Sequence, residues 1–219
     1  MQVALPSGRL LMSAWSTTSP HGAACIYASD DHGSSWRTTA YLGTPGEHWI
    51  FETSLVAVGG DTVYLNGRNR ALPGTASGPH PRVTAWSYDG GATFVNVSNS
   101  TVPTMDCDAN GVQQGMTASA VNPGIVALLA PLGPPPHPES KFNPVNNSGR
   151  HHLVLHRSRD SARTWPTELT ESVTLGYGGY SSLAVVADTS AASVVGLLYE
   201  TGWADCDASC SIAYTERTL

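Results

Sequence analysis

An eight-residue motif occurs three times in this chain and limits its possible folds more than any other feature. Residues 29–36 read SDDHGSSW, residues 87–94 read SYDGGATF, and residues 158–165 read SRDSARTW. The shared pattern is Ser-x-Asp-x-x-x-Ser/Thr-Trp/Phe, called the Asp motif below. The first serines of the copies lie 58 and 71 residues apart. This regular recurrence indicates an architecture built from repeats.

The repeated unit is larger than the motif, because the segments before each copy are also similar. In each unit a strand, a Gly/Pro/Asp turn and further strands come before the motif, as in SLVAVGGDTVYLNGR before RVTAWSYDGGATF. A fourth unit, which ends in CSIAYTERTL, has the strands without the motif and places Thr215 at the position of the first serine. Units of about 40 to 70 residues with four short strands are typical of β-propeller blades. We therefore predict an all-β propeller fold with about four blades in this chain.

The Asp motif is expected to stabilise the turn between two strands of a blade. Its carboxylate and its first hydroxyl can accept hydrogen bonds from the N–H groups of such a turn. Gly33 and Gly91 can adopt a positive φ at little cost, while Ala162 predicts a looser third copy. The aromatic residues that end the motif are predicted to point inward between strands: Trp36, Phe94 and Trp165.

Composition excludes several functional classes. The net charge is −6 and only 13% of the residues are charged, so no basic surface for nucleic acid is expected. No apolar run reaches membrane-spanning length, and the first residues do not have the pattern of a signal peptide. Four cysteines are too few for a disulfide framework, although Cys206 and Cys210 could close a small loop.

Three N-x-S/T sequons bear on the compartment without deciding it. They begin at Asn96, Asn99 and Asn146. Such sequons suit a secreted, lysosomal or other lumenal protein, but a Ser/Thr-rich chain also contains them by chance. The localisation therefore remains open at this point.

The Asp motif resembles the Asp box of sialidases, whose catalytic domain is a six-bladed β-propeller. Asp boxes also occur in sortilin-like receptors and in other propellers without sialidase activity, so the motif alone does not define a function. Three further stretches are similar to sialidase segments and follow the same order. The similarity covers nearly the whole chain and is closest in appearance to animal lysosomal-type exo-α-sialidases.

These three stretches contain the candidate site residues. FETSLVAVGGDTVYLNGRNR places Glu52 at the head of one strand and Arg68 at the end of the next, and resembles the Glu…Arg pair of the family. NNSGRHHLVLHRSRDSARTW places Arg150 where the family has the last arginine of a triad. GYGGYSSLAVV is similar to the segment with the nucleophilic tyrosine, here Tyr180, with Tyr177 as a rival.

The resemblance implies retaining hydrolysis of terminal sialic acids on glycoproteins, glycolipids or oligosaccharides, without a cofactor or metal. Sialic acid has a carboxylate on its anomeric carbon, and guanidinium groups bind a carboxylate through paired hydrogen bonds. A carboxylate nucleophile would be repelled there, whereas a tyrosine is neutral when free, and sialidases use tyrosine. The implied roles are nucleophile for Tyr180, base for Glu52, and carboxylate binders for Arg68 and Arg150.

Each of these residues also has a structural interpretation. Glu52 could be a solvated carboxylate at a strand end, Arg68 could pair with a surface acid, and Tyr180 could pack between blades. The rival function is that of a non-catalytic propeller that binds glycans or proteins.

The family also needs an Asp general acid and a first arginine, on blades before the first unit of this chain. Neither has a counterpart in this sequence, so we expect residues 1–219 to form a partial sialidase-like catalytic domain whose N-terminal blades are missing. Asp30, Asp31 and Asp61 are assigned to turns.

Other patterns are weaker. DCDANG at residues 106–111 begins like a calcium loop, but Thr117 stands where that loop needs Glu, so we predict an ordinary loop. Residues 131–140 are predicted to form a Pro-rich surface loop. His151 and His152 would point to opposite faces of a strand, which argues against a metal site.

Overall fold

The structure is a computed structural model that describes residues 2–16, 23–43, 49–70, 82–102, 115–122, 124–131, 151–202 and 211–219. One short 3₁₀ helix, Thr167–Leu169, accompanies the strands in these residues. The strands are β1 (Gln2–Ala4), β2 (Leu10–Ser16), β3 (Ala23–Ser29), β4 (Arg37–Leu42), β5 (Trp49–Gly59), β6 (Thr62–Arg70), β7 (Val83–Ser87), β8 (Val95–Asn99), β9 (Met116–Ala118), β10 (Val126–Pro131), β11 (His151–Ser158), β12 (Glu171–Asp188), β13 (Ser193–Gly202) and β14 (Ser211–Thr218). The predicted all-β fold is confirmed.

The strands form four propeller blades, as the repeat predicts. The first blade has the order β1-β2-β3-β4 and the second has β5-β6-β7-β8. The other strands form a single six-stranded sheet, because the 18-residue strand β12 belongs to two blades. Residues 171–177 of β12 pair with β11 as the outer strand of the third blade. Residues 177–188 pair with β13 as the inner strand of the fourth blade.

The innermost strand of each blade lines a central channel. Segments of β1, β5, β9 and β12 surround a cavity of about 780 Å³. Its wall contains many small and aliphatic side chains, such as Ala4, Val56, Ala118 and Ala184. Neighbouring blades thus meet along the channel, and the ends of their inner strands gather at its two mouths.

Apolar packing between blades holds the propeller together. Leu11 and Ile26 of the first blade pack with Ile50 and Leu65 of the second, and all four are fully buried. A second cluster joins the second and third blades, and a third joins the third and fourth. Each buried side chain of this size contributes roughly 1.5–3 kcal/mol, so these clusters are the main force between neighbouring sheets.

All three Asp motifs form the expected turn. In the first, the carboxylate of Asp31 accepts the Ser35 N–H at 2.8 Å and the Ser35 hydroxyl at 2.6 Å, while Ser29 Oγ accepts the Gly33 N–H at 2.8 Å. The same bonds recur around Asp89 and Asp160. The bonds from Ser35 lower the pKa of Asp31 to about 2. The motif therefore stabilises the fold through hydrogen bonds to its charged carboxylate.

The aromatic residue of the motif points inward in two copies but not in the first. Phe94 packs against the core between the first two blades, and Trp165 packs into the core between the second and third. Trp36 is 38% exposed, so its predicted inward position is wrong. The aromatic residue packs toward the preceding blade, and within the described residues no blade precedes the first. The Trp36 ring instead donates Nε1–H to the carbonyl of Gly33 at 3.1 Å.

A different acidic residue ties the fourth blade to the third. Asp188 accepts the hydroxyls of Ser193 at 2.6 Å and Ser119 at 2.8 Å, together with the N–H groups of Ala120 at 2.8 Å and Val121 at 3.0 Å. These bonds connect the β12–β13 turn to the β9–β10 turn. The Ser193 hydroxyl bond is the largest effect that lowers the pKa of Asp188, to about 2. This clasp joins the blades although the fourth unit has no Asp motif.

A buried histidine makes the fold sensitive to acid. His156 on β11 is 1% exposed, and burial lowers its pKa to about 4 from a usual value of 6.5. The unfolded chain therefore takes up this proton at a higher pH than the folded chain. The contribution of neutral, buried His156 to the free energy of unfolding is fully present above pH 6.5 and is lost as the pH falls toward 4. The loss corresponds to about 3 kcal/mol.

We expect His156→Leu to remove most of this pH dependence, because leucine fills a similar space without a titrating group. The measurement is urea denaturation of both proteins at several pH values from neutral to 4. A wild-type free energy of unfolding that stays constant over this range would contradict the assignment, as would an equal fall in the variant.

Candidate active site

Three of the predicted site residues lie at one mouth of the channel. Glu52 is near the start of β5, Arg68 is near the end of β6, and Tyr180 begins the part of β12 that lines the channel. The inner strands start at this mouth, so residues from the second and fourth blades meet here. The Asp motifs lie on the opposite face of the propeller, in turns between the outer strands of the blades, and there the Gly90 N–H donates to the carbonyl of Asp61.

A phenol and a carboxylate form the centre of the site. The Tyr180 hydroxyl donates a hydrogen bond to Glu52 Oε1 at 2.7 Å, across 128 residues of sequence. Tyr180 is 39% exposed as a whole residue, so a ligand in the channel mouth can reach it. Glu52 is more enclosed, with 18% of its side chain exposed. The phenol is therefore accessible and already joined to a group that can take its proton.

Arg68 completes the cluster on the other side of the carboxylate. Its Nη1–H donates to Glu52 Oε2 at 3.1 Å, and its side chain is 12% exposed. One oxygen of Glu52 thus faces the guanidinium and the other faces Tyr180. Arg68 therefore forms an ion pair with an acid, as its structural interpretation also allows, and this acid is the one that accepts the Tyr180 hydroxyl.

The backbone at Glu52 has an unusual conformation. Its φ is +35°, and the pairing of β5 with β6 shifts register between Phe51 and Ser54. A bulge of this kind re-aims a side chain, and positive φ at a non-glycine residue costs on the order of 1–3 kcal/mol. Ser13 of the first blade supports the bulge by donating its hydroxyl to the carbonyl of Thr53 at 2.9 Å.

Two nearby residues were not identified from the sequence. Glu200 on β13 accepts the backbone N–H of Tyr180 at 2.9 Å. Trp15 is 47% exposed, and its ring centroid lies 5.1 Å from that of Phe51, the neighbour of Glu52. In the β12–β13 hairpin Ser181 pairs with Tyr199, so the next residue outward on β13, Glu200, lies opposite Tyr180. A prediction of this hairpin from the sequence could therefore have identified Glu200.

Several features of the sequence analysis lie outside the described residues, wholly or in part. Arg150 lies outside the described residues, as do the side chain of Tyr177, the 106–111 segment, most of the Pro-rich 131–140 segment and the Cys206–Cys210 pair. The role of Arg150 as a carboxylate binder therefore stays a prediction.

The acidic residues assigned to turns lie away from the site. Asp30 forms ion pairs with Arg9 at 2.6 Å and Arg37 at 3.0 Å. Asp61 follows the end of β5, whereas Glu52 is near its start. These residues lie in turns, as predicted, on the face of the propeller that carries the Asp motifs.

Two kinds of feature are absent from the described residues. Over the described part of the chain, no group of three His, Cys, Asp or Glu residues is placed to hold a metal ion. Within the same residues, no helix has the length and apolar character needed to cross a bilayer.

Comparison with known proteins gives a family and several similar folds. Residues 1–192 match the family of BNR repeat-like domains. No curated protein matches the chain.

Three solved structures illustrate the similarity of fold. An intramolecular trans-sialidase from Ruminococcus gnavus has 18% identity and a TM-score of 0.68, with 98% of this chain and 42% of that chain covered. The NanB sialidase from Streptococcus pneumoniae has 17% identity and a TM-score of 0.65, with 100% and 30% covered. A Trypanosoma rangeli sialidase in covalent complex with 2,3-difluorosialic acid has 16% identity and a TM-score of 0.64, with 98% and 30% covered.

The chain therefore spans less than half the length of these three structures. At such identities the similarity shows a common fold. The finer parts of the resemblance, to animal lysosomal-type sialidases and to the Asp box, stay predictions.

Proposed function

The chain belongs to the family of BNR repeat-like domains, and on that premise we propose that its channel mouth is the site of an exo-α-sialidase-like glycoside hydrolase. The observation that carries this proposal is the hydrogen bond between Tyr180 and Glu52, with Arg68 on the second carboxylate oxygen. The proposed substrates are terminal sialic acids on glycoproteins, glycolipids or oligosaccharides. The similarity of fold to sialidases from bacteria and a trypanosome supports this class.

The charge of the substrate explains the residue types. The carboxylate of sialic acid is attached to the carbon that is attacked, so an acidic nucleophile would approach a like charge. A neutral phenol avoids this repulsion and becomes nucleophilic as it loses its proton to Glu52. The guanidinium of Arg68 can bind the substrate carboxylate, because it has five N–H donors in a planar arrangement.

The proposed reaction has two displacement steps. Tyr180 Oη forms a bond to the anomeric carbon as the bond to the aglycone oxygen breaks, and the phenolic proton moves to Glu52. The aglycone oxygen leaves with the electron pair of its bond. Water then attacks the same carbon and gives up one proton to the solvent, from which the departed aglycone takes its proton; the bond to Tyr180 breaks, and Glu52 returns its proton to the phenolate. Two inversions give net retention. The general acid that would protonate a poor leaving group and the first arginine stay predictions for further blades.

The test uses reagents whose leaving groups depart without help from an acid. The chain is incubated with 4-methylumbelliferyl sialoside, and fluorescence is followed. In parallel it is incubated with 2,3-difluorosialic acid, and intact-mass and peptide analysis locate any covalent adduct. We expect slow release of the fluorophore and an adduct on Tyr180. Binding of sialyl-lactose without any adduct would instead support the non-catalytic glycan-binding function.

A further inference from the structure

The fourth blade carries Tyr180, and its position relative to the third blade is not set by a backbone ladder at the channel. The inner strand of the third blade, β9, pairs only with β10 among the described strands. The channel part of β12 pairs with β13. The two inner strands lie beside each other without backbone pairing in the described residues. Beyond Tyr177, where the pairing of β12 with β11 ends, side chains and packing therefore fix their relative position.

Ser181 makes the contact between these strands nearest to the site. Its Oγ accepts the backbone N–H of Gly115 at 2.8 Å. The carbonyl of Gly115 in turn accepts the N–H of Leu129 on β10 at 3.1 Å, so Gly115 is itself held in the third blade. Ser181 directly follows Tyr180 in the chain. The Ser181 hydroxyl also donates to the carbonyl of Leu129 at 3.5 Å. Two hydrogen bonds of one side chain thus join the third blade to the residue next to the phenol.

Gly115 allows the two backbones to approach closely. A Cβ atom placed on Gly115 would lie 2.8 Å from the backbone nitrogen of Leu183 and 2.8 Å from the backbone carbon of Ser182. These are backbone atoms, so no side-chain rotation could make room for it. The contact is therefore short because residue 115 has no side chain.

The other end of the same strand is held by the Asp188 clasp. Residues 180–188 span roughly 25 Å at 3.3 Å per residue. A tilt of only about 2° around Asp188 would therefore move Tyr180 by about 1 Å, and a displacement of that size can cost about a hundredfold in rate. The pairing of β12 with β11 ends at Tyr177, and the Ser181 hydroxyl is the side-chain attachment to the third blade that follows Tyr180 and opposes this tilt.

We propose that Ser181, together with Gly115, is a positioning residue that holds Tyr180 against Glu52 by fixing the fourth blade to the third. The proposal rests on the proposed function of Tyr180. Ser181 acts through the strand and does not touch the reacting atoms. Loss of its hydroxyl should therefore slow the chemical step and leave binding of the sugar almost unchanged.

The adjacent residue Ser182 provides a matched control. Ser182 is exposed and lines the channel cavity, whereas Ser181 is partly buried and bonds to Gly115 and Leu129 of the third blade. For Ser181→Ala we expect the maximal rate of labelling by 2,3-difluorosialic acid to fall about 10- to 100-fold, with the half-saturating concentration changed less than about threefold. Ser182→Ala should change neither value by more than about twofold, and Ser181→Thr, which keeps the hydroxyl, should restore most of the rate.

A second measurement does not depend on reactivity. The NMR resonance of the ring carbon attached to the hydroxyl of Tyr180, assigned through Tyr180→Phe, reports its bond to Glu52. We expect Ser181→Ala to shift or broaden this resonance and Ser182→Ala to leave it unchanged.

The outcomes separate the two proposals. A wild-type chain that is never labelled counts against the proposed function, and the resonance of Tyr180 then decides the positioning role. A labelling rate and a resonance in Ser181→Ala equal to those of the wild type would overturn the positioning role even if the wild type reacts. The positioning role would also be overturned if Ser181→Ala and Ser181→Thr both lower the thermal midpoint and Ser181→Thr does not recover the labelling rate.

Discussion

Replacing Tyr180 by phenylalanine should abolish covalent labelling by 2,3-difluorosialic acid and lower hydrolysis of 4-methylumbelliferyl sialoside by about a thousandfold or more. The substitution removes one oxygen, which is the atom proposed to form the bond to sugar. Phenylalanine keeps the ring, and the residue is 39% exposed, so packing is little affected. Intact mass spectrometry measures the adduct, and a thermal midpoint within about 2 °C of the wild type shows that the fold is intact.

The fourth blade contains a close control for this change. Tyr214 is 58% exposed and donates its hydroxyl to Glu216 Oε1 at 2.7 Å, so it has the same bond as Tyr180. That pair has no guanidinium partner comparable to Arg68 among its described contacts and lies outside the channel mouth. In the Tyr214→Phe variant, 2,3-difluorosialic acid should therefore label Tyr180 at the wild-type rate. The comparison tests whether position in the site, rather than a Tyr–Glu contact as such, produces reactivity.

A third substitution addresses the rival tyrosine of the sequence analysis. Tyr177→Phe should leave the adduct on Tyr180. An adduct that maps to residue 177, or a Tyr180→Phe variant that still labels, would show that the nucleophile is assigned to the wrong residue.

The proximity of Glu52 and Arg68 was predictable from local sequence. The glycines at residues 59–60 define a tight hairpin between β5 and β6, and residues at equal distances from this turn become neighbours. In the structure Gly59 pairs with Thr62, which would place Thr53 opposite Arg68, but the residue that pairs with Arg68 is Phe51. Two register shifts account for this difference, one between Ala57 and Gly59 and one between Phe51 and Ser54. Nothing at residue 52 indicates the second shift, because glutamate is not a residue that favours positive φ.

The contact between Tyr180 and Glu52 could not be derived from local pattern. It depends on the rotation of each blade relative to the next, which is set by packing between sheets over 128 residues. The proximity of Tyr180 and Glu52 was predicted from the resemblance to sialidases, whereas the sequence periodicity predicted only the strands. For the same reason the exposure of Trp36 was missed, because its environment is determined by which blade lies beside it.

Strand β12 shows a second limit to what sequence patterns can predict about strand boundaries. Three glycines, Gly176, Gly178 and Gly179, indicate a break in a strand, yet β12 continues through them from Glu171 to Asp188. Glycine permits close approach as well as turning: a Cβ atom on Gly178 would collide with the side chain of Leu153. The break is therefore a change of pairing partner, from β11 to β13, rather than an end of the strand.

Glu52→Gln should lower the labelling rate by about 10²- to 10⁴-fold while the reagent still binds. The amide oxygen can still accept a hydrogen bond from Tyr180 or Arg68, so the geometry of the site is largely kept. An amide is far too weak a base to take the phenolic proton, however, and the nucleophile stays neutral. The rate of adduct formation at saturating reagent is the measurement, with Glu216→Gln as the control that changes the Tyr214 pair in the same way.

Glu52→Ala distinguishes a base from an ion-pair partner. This variant leaves space beside Arg68, where added formate can bind as a small carboxylate and accept the proton in place of Glu52. We expect formate to restore part of the labelling rate in Glu52→Ala and none in Glu52→Gln, whose amide fills the space. If Glu52→Gln labels as fast as the wild type, Glu52 only holds Arg68, and the proton of Tyr180 leaves by another route. Tyr180 could then still be the nucleophile, but the pairing of phenol and carboxylate would no longer explain its reactivity.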